Sequence, residues 1–367
     1  MFEQLLYALI AVVIIQFLYH LILFSRLAFY QPKKLTVNNE PVSVILYTKN
    51  QADRLAQSLD NLLNQQYHTF EIVVVNNAST DETSDILKAY AEQFPNINIV
   101  DVKNNEAFWG STKYALTLGI KASKYNHLIF TDTDKTLVSS NWLTSMSATF
   151  TEKKELVMGV ELLSRKKGFF NKIVRFRHIS NQQWNISLTK SGKPIGIPLN
   201  NVGYTKNIFF ENQGYIRFMN YFQYTHELFF SEAANKKNTA VCLSKESFSY
   251  IQPSKNSAEF IQKSIEEKTI LKEFGRGYGL LKSVYYLSVW LFFILSAVLL
   301  INQHEMHIVL AIFVFRYAFC WIINGKTYRY FGYTDLALGY PLFEWIDLWV
   351  QLRIKTKSIF YKPLINK

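Results

Sequence analysis

Apolar residues follow two patterns along the chain. At both ends they run together without charge. In the middle they recur at strand and helix periods. Leu5 to Phe24 is a twenty-residue run with no Asp, Glu, Lys or Arg. At about 1.5 Å per residue it is long enough to cross a hydrocarbon core of roughly 30 Å. The segment opens MFEQ and closes FSRLAFYQPKK. A cleaved leader would have a basic start, a shorter apolar run and a small-residue cleavage site, so an uncleaved anchor is expected. Val284 to Ile301 and His307 to Ile323 flank the short turn Asn302-Gln303-His304-Glu305 and predict a hairpin of two further spans. Arg316 sits inside the third span, where an arginine is costly unless paired, and the expected partner is Asp335 or Glu344. Asp335 to Leu352 is apolar and aromatic but carries Asp335, Pro341, Glu344 and Asp347. It reads as re-entrant or interfacial rather than spanning.

The middle of the chain alternates strand and helix signals. Val42–Tyr47, Glu71–Val75, Asn98–Val102 and His127–Phe130 are short β-rich runs. Between them, Arg54–Gln66 places Leu55, Leu59, Leu62 and Leu63 on one helical face. Asp81–Phe94 does the same with Ile86, Leu87, Tyr90, Ala91 and Phe94, with Ser79 or Thr80 placed as N-cap. Ser111–Ala122 shows Tyr114, Ala115, Leu118 and Ala122. This alternation predicts an α/β domain with a mostly parallel sheet covered on both faces.

Composition sharpens the topology. The 367 residues carry 40 Lys and Arg against 28 Asp and Glu, a net charge of +12, with 16% aromatics. A disordered chain would be poor in aromatics, and two cysteines, Cys242 and Cys320, cannot build a disulfide framework. The mean hydropathy of +0.01 averages lipid-facing ends and a polar middle. Arg26, Lys33 and Lys34 follow the first span. Lys268, Lys272, Arg276 and Lys282 precede the second, and Lys326 and Arg329 follow the third. The positive-inside rule then places the middle in the cytosol of a multi-pass inner-membrane protein. The expected organisation is an anchor over 1–30, a cytosolic domain over 31–282, a hairpin over 283–325 and an interfacial segment with a basic tail over 326–367. Within the domain, Arg165 to Arg177 (RKKGFFNKIVRFR) has six basic residues and no acid. It reads either as a basic interfacial helix over 165–184 on an anionic membrane, or as a helix packed on the domain with a solvated basic face. The adjacent spans favour a membrane over nucleic acid as the partner of this charge.

Parallel α/β sheets bind ligands beyond the carboxyl ends of their strands. Those positions hold Thr48-Lys49-Asn50-Gln51, Asn76 to Asp81, and Thr131-Asp132-Thr133-Asp134. Asp132 and Asp134, two carboxylates at i and i+2, present oxygen ligands suited to a hard divalent cation such as Mg²⁺ or Mn²⁺. Acids at strand ends also serve as turn formers and caps, and spacing alone leaves both readings open.

The order VSVILYTKN, EIVVVNNASTDET, the Lys113-Tyr114-Ala115-Leu116 helix and HLIFTDTD resembles family 2 glycosyltransferases of the GT-A fold. The likeness continues through Leu199-Asn200-Asn201-Val202-Gly203-Tyr204-Thr205-Lys206, His226-Glu227-Leu228-Phe229 and Glu232-Ala233-Ala234, and covers about residues 40 to 275. The resemblance implies a nucleotide-diphospho-sugar donor, a divalent cation on Asp132 and Asp134, and inversion at the anomeric carbon. It implies substrate contacts at Asn50, Asn77, Asp81 and Asn201. Lys113 is a candidate phosphate contact. Glu227 is the candidate base, with His226 as a substitute.

The chain departs from the family pattern at its acids. Gln51 replaces the usual acid of the first loop, Asn76-Asn77 the usual Asp-Asp of the second, and Thr225-His226-Glu227 stands where acids are expected. Gln262-Lys263-Ser264-Ile265-Glu266 lacks the Arg and Trp of processive relatives. Two function classes follow. One is a membrane-bound inverting hexosyltransferase acting on a lipid-linked or polysaccharide acceptor, for which retention of Asp132 and Asp134 speaks. The other is an inactive scaffold or nucleotide-binding partner built on the same fold.

Overall fold

The computed structural model describes residues 2–32, 40–103, 111–192, 201–219, 221, 224–270 and 276–361. Lys33, Lys34, Leu199, Asn200 and Lys272, used above, lie outside the described residues. The chain forms two compact units. An α/β unit comprises Pro32–Arg165 and Gly192–Pro253. A helical unit comprises Met1–Gln31, Lys166–Ser191 and Ser254–Lys362. The stretches 166–191 and 254–282, expected in the middle domain, belong to the helical unit.

The α/β unit has ten strands among its described residues: β1 (Val42–Thr48), β2 (Phe70–Asn76), β3 (Ile97–Asp101), β4 (His127–Asp132), β5 (Thr136–Leu137), β6 (Leu156–Met158), β7 (Glu161–Leu163), β8 (Val202–Thr205), β9 (Thr239–Val241) and β10 (Ser249–Ile251). The main sheet runs β3-β2-β1-β4-β8-β6-β9. β1 to β4 are mutually parallel, and β8 lies antiparallel to both β4 and β6. β1 and β2 are near-continuous Val, Ile and Leu because both faces are covered. On one face Leu55, Leu59 and Leu62 of the helix Ala52–Leu63 are fully buried. Gly119, on the helix Thr112–Ala122, permits a close helix–sheet approach, since a Cβ there would lie 2.4 Å from Val75 Cγ2.

A second, three-stranded sheet runs β5-β10-β7, pairing Ser249 with Leu137 on one side and with Glu161 on the other. It ties the chain just after the Asp-x-Asp turn to the start of β7.

Among the described residues of the helical unit, three helices are long and apolar enough to cross a membrane: Phe2–Ala28, Gly277–Ile301 and Met306–Tyr330. The first contains a π-turn at His20–Phe24. Arg316 pairs with Glu344, one of its two expected partners. The segment Asp335–Leu352 falls in the helices Thr334–Leu338 and Tyr340–Ser358. The basic stretch forms the helix Phe169–Lys190, but its arginines do not make a solvated face. Arg175 is buried against Asp335, with Nη2 to Oδ2 at 2.5 Å and Nη1 to Oδ1 at 3.2 Å, and Arg177 meets Asp347 at 3.0 Å. Arg165, Lys166, Lys167 and Lys172 are the exposed part of the cluster. Within this unit, Gln183, Trp184, Tyr285, Tyr286, Tyr328 and Glu344 line a small cleft. It has room for about three water molecules, enough to hydrate the Gln183 amide, whose Nε2 has no protein acceptor.

Candidate active site

The register of the parallel strands brings their carboxyl ends level. Thr48 pairs with Asn76, Asn76 with Asp101, and Tyr47 with Asp132. The polar residues singled out after β1, β2 and β4 therefore share one edge of the unit.

Asn50 and Asp81 knit the first two loops together. Asn50 adopts a left-handed conformation (φ 52°), which asparagine tolerates better than most residues. Its Oδ1 accepts from Thr80 N at 2.8 Å, and its own N–H donates to Ser79 Oγ at 3.0 Å. Asp81 accepts from Ala52 N at 3.2 Å and Thr83 N at 3.1 Å. Hydrogen bonding, from Thr83 first, holds its carboxyl below the usual range. Neither Ser79 nor Thr80 caps the helix Thr83–Gln93: the residue before it is Glu82, and Asp81 supplies the side-chain acceptor for Thr83 N–H. The two amides that replace acids are engaged internally. Asn76 Nδ2 donates to Asp101 Oδ1 at 2.8 Å and Ser84 Oγ at 3.0 Å, while buried Asn77 donates to Tyr47 OH at 2.9 Å.

Asn201 corrects an expectation. Its Nδ2 donates to Val160 O at 3.0 Å and Ser247 O at 2.8 Å, and its Oδ1 accepts from Trp142 Nε1 at 3.2 Å. Both N–H groups of this buried amide donate to backbone carbonyls and its oxygen accepts from an indole, so the side chain serves the scaffold.

At the end of β4, Asp132 and Asp134 sit on a turn closed by Lys135 N to Asp132 O at 3.3 Å and fixed by Ser58 Oγ donating to Thr133 O at 3.0 Å. Lys135 Nζ lies 2.7 Å from Asp132 Oδ2. The lysine side chain is 2% exposed and the aspartate 39%. Burial by itself would lower the Lys135 pKa, but Asp132 and Glu161 outweigh it and the net shift is upward. Asp134 is exposed at its surface, and partial desolvation by its neighbours, then the charge of Asp132, push its carboxyl up. Glu161, at the start of β7, is buried, and desolvation pushes its carboxyl up to about 8 against the pull of Lys135. The sequence reading missed Lys135 and Glu161. An acid inside the apolar run Val160–Leu163 was the one available signal for Glu161.

Glu227 lies in the first turn of the helix Thr225–Ala233, where a carboxylate is favoured by the helix dipole, and is 4% exposed. Lys113 is buried as well. Its Nζ donates to Tyr221 O at 2.5 Å, and burial pulls its pKa down to about 8 while Glu227 opposes the shift. It is not a solvated helix lysine. His226 packs on Phe130, with its Nδ1 3.4 Å from both Tyr204 OH and Tyr215 OH, and those two phenols hydrogen-bond each other. Burial pushes the imidazole down to about 3. A base of that strength in an aromatic cage is poorly matched to proton abstraction near neutrality, which corrects the expectation for His226.

Among the described residues no group of three His, Cys, Asp or Glu side chains is arranged to hold a metal. The residues present fit a different arrangement. One or two carboxylates, with the remaining positions completed by substrate phosphates and water, are what a magnesium-type site requires.

A parallel core in the order β3-β2-β1-β4, an antiparallel β8 and an Asp-x-Asp turn at the end of β4 are the features of a GT-A fold. Residues 43–216 match the family model described as "Glycosyl transferase family 2". Curated relatives include an uncharacterized glycosyltransferase of Rickettsia bellii, 31% identical over 101 residues (28% of this chain, 14% of that protein). Another is the uncharacterized glycosyltransferase YibD of Escherichia coli, 27% identical over 106 residues (29% of each). A third is the 4,4'-diaponeurosporenoate glycosyltransferase of Staphylococcus aureus, 25% identical over 117 residues (32% of this chain, 30% of that protein). The chain spans less than a third of the length of these relatives. Among solved structures, the mannosyltransferase PcManGT from Pyrobaculum calidifontis, in complex with GDP-Man and Mn²⁺, is similar in fold. Its TM-score is 0.58 at 16% identity, covering 98% of this chain and 99% of that one.

Proposed function

We propose that the protein is a membrane-anchored inverting glycosyltransferase. It moves a sugar from a nucleotide-diphospho-sugar to a lipid-linked or polysaccharide acceptor at the cytosolic face of the inner membrane. The observation that carries this reading is the retained acidic turn, Asp132 and Asp134, at the ligand-binding edge of a family 2 domain. The three apolar helices and the Lys and Arg residues beside them support the anchoring and its orientation.

In this reading the loops joined by Asn50 and Asp81 hold the nucleotide, and Asp134, with Asp132, would hold a divalent cation, as the Mn²⁺ complex of PcManGT suggests. Such a cation supplies positive charge to the leaving diphosphate. Glu227 takes the proton of the acceptor hydroxyl. The hydroxyl oxygen then bonds to the anomeric carbon as the carbon–oxygen bond to the diphosphate breaks on the opposite face. Lys113 feels the charge of Glu227, which opposes the lowering of the lysine's pKa by burial.

The test is direct. The purified full chain in detergent is incubated with UDP- and GDP-sugars plus Mg²⁺ or Mn²⁺, and release of nucleoside diphosphate and nucleotide binding are measured. Donor turnover is expected. Neither binding nor hydrolysis from a folded protein would overturn the reading. Binding without turnover would favour the second reading, a nucleotide-binding scaffold, to which the internally committed amides of Asn76 and Asn77 lend support.

A further inference from the structure

The Asp-x-Asp turn already holds a cation, and it belongs to the protein. Lys135 is three residues beyond Asp132, and the turn brings its ammonium to 2.7 Å from Asp132 Oδ2. Its position is set from several directions. The turn is fixed by Ser58 on Thr133 O. Lys135 directly precedes β5, and β5 is joined through β10 to β7, whose first residue is Glu161. The small sheet thus carries a second buried acid, Glu161, and the lysine side chain is 2% exposed. A charge so withdrawn from water is little screened by salt and interacts more strongly than a surface lysine.

We propose that Lys135 is a resident cation of the Asp-x-Asp centre: it engages Asp132, leaves Asp134 as the protein ligand for any divalent ion, and lets nucleoside diphosphate bind when the metal is removed. The proposal rests on the glycosyltransferase reading above. Two bare carboxylates facing a diphosphate would repel it, and a divalent ion is the usual remedy. One buried ammonium cancels half of the carboxylate charge. A lysine ammonium is a compact charge with freely directed donors, so it neutralises Asp132 without demanding the octahedral shell that Mg²⁺ requires. It also competes with a metal for the same carboxylate. Lys135 is therefore a positioning residue, acting through Asp132.

The consequences are read without activity. Mn²⁺ binding to the full chain in detergent is followed by the loss of the free-ion electron paramagnetic resonance signal. Lys135→Met frees Asp132, and Mn²⁺ affinity should rise by about tenfold or more. Lys135→Arg keeps the charge and should stay within about threefold of the wild type. Lys135→Met affinity equal to or weaker than wild type, at an intact melting transition, would overturn the proposal. Should the single variant melt early because Glu161 is left beside an apolar side chain, Lys135→Met with Glu161→Gln replaces both buried ionisable groups and must show the same gain.

A second measurement needs no variant. UDP and GDP binding to the wild type is titrated with Mg²⁺ and again with EDTA. A weakening of less than tenfold is expected, and tenfold or more would overturn the proposal. If neither nucleotide binds under any condition, the glycosyltransferase reading fails, while the Mn²⁺ titration still decides the role of Lys135.

Discussion

Arg316 and Glu344 form a bidentate pair inside the helical unit, with Nη1 to Oε2 at 2.5 Å and Nη2 to Oε1 at 2.8 Å. Arg316 Nε also donates to Gln16 Oε1 at 2.7 Å, and Gln16 Nε2 donates to Ser288 O at 3.0 Å. Four helices of the unit thereby share one polar network. Breaking a buried pair leaves an uncompensated charge at a cost of about 3–5 kcal/mol. Glu344→Gln should therefore lower the melting temperature in detergent sharply. Arg316→Met with Glu344→Met should recover much of the loss. Equal melting of single and double variants would refute the pairing argument.

Glu227→Gln should lower transfer by about 100-fold or more, the range of general-base contributions, with nucleotide binding unchanged. His226→Gln should leave the pH–rate profile in place, because a caged imidazole pushed down to about 3 does not titrate in the working range. An altered acidic limb in His226→Gln would return the histidine to candidacy.

Asn201→Ala strips partners from Trp142 Nε1, Val160 O and Ser247 O. Each unsatisfied buried group costs about 1–3 kcal/mol. A fall in melting temperature with unchanged nucleotide affinity in the folded fraction is expected. Gly159→Ala should act on the same spot, since its Cβ would meet Asn201 Cγ at 2.6 Å and the Asn201 carbonyl oxygen at 2.9 Å.

Lys113 predicts a pH dependence of stability. Its folded pKa of about 8 lies below the ordinary 10.5. Between those values the unfolded chain holds a proton that the folded chain has released, so stability rises with pH from about 8 to 10.5. The span corresponds to on the order of 3 kcal/mol. Denaturation midpoints measured across this window should climb in the wild type and flatten in Lys113→Met.

Legibility in the sequence followed the range of the interactions. β1, β2 and β4 were readable because a doubly covered strand must be apolar throughout, and Arg316 announced its acid because an arginine in an apolar helix needs one. The roles of Asn201 and His226 were not readable. Motif position placed them near substrate, whereas their hydrogen bonds run to Trp142, Val160 and Ser247, and to Tyr204 and Tyr215, partners fixed only by tertiary packing. Glu161 was hidden for the same reason, since nothing in its own strand names Lys135. The helix Phe169–Lys190 looked like a surface helix because its acids, Asp335 and Asp347, lie more than 150 residues downstream.

The chain enters the helical unit three times, over 1–31, 166–191 and 254–362. Freeing the α/β unit for solution work is therefore a matter of excising a middle passage as well as trimming two ends. A truncation that removed only the terminal spans would retain Phe169–Lys190 with Arg175 and Arg177 stripped of Asp335 and Asp347. It would present a long sticky helix to every neighbouring molecule. Replacing 166–191 by a short polar loop in the same truncation is the route to a well-behaved soluble fragment.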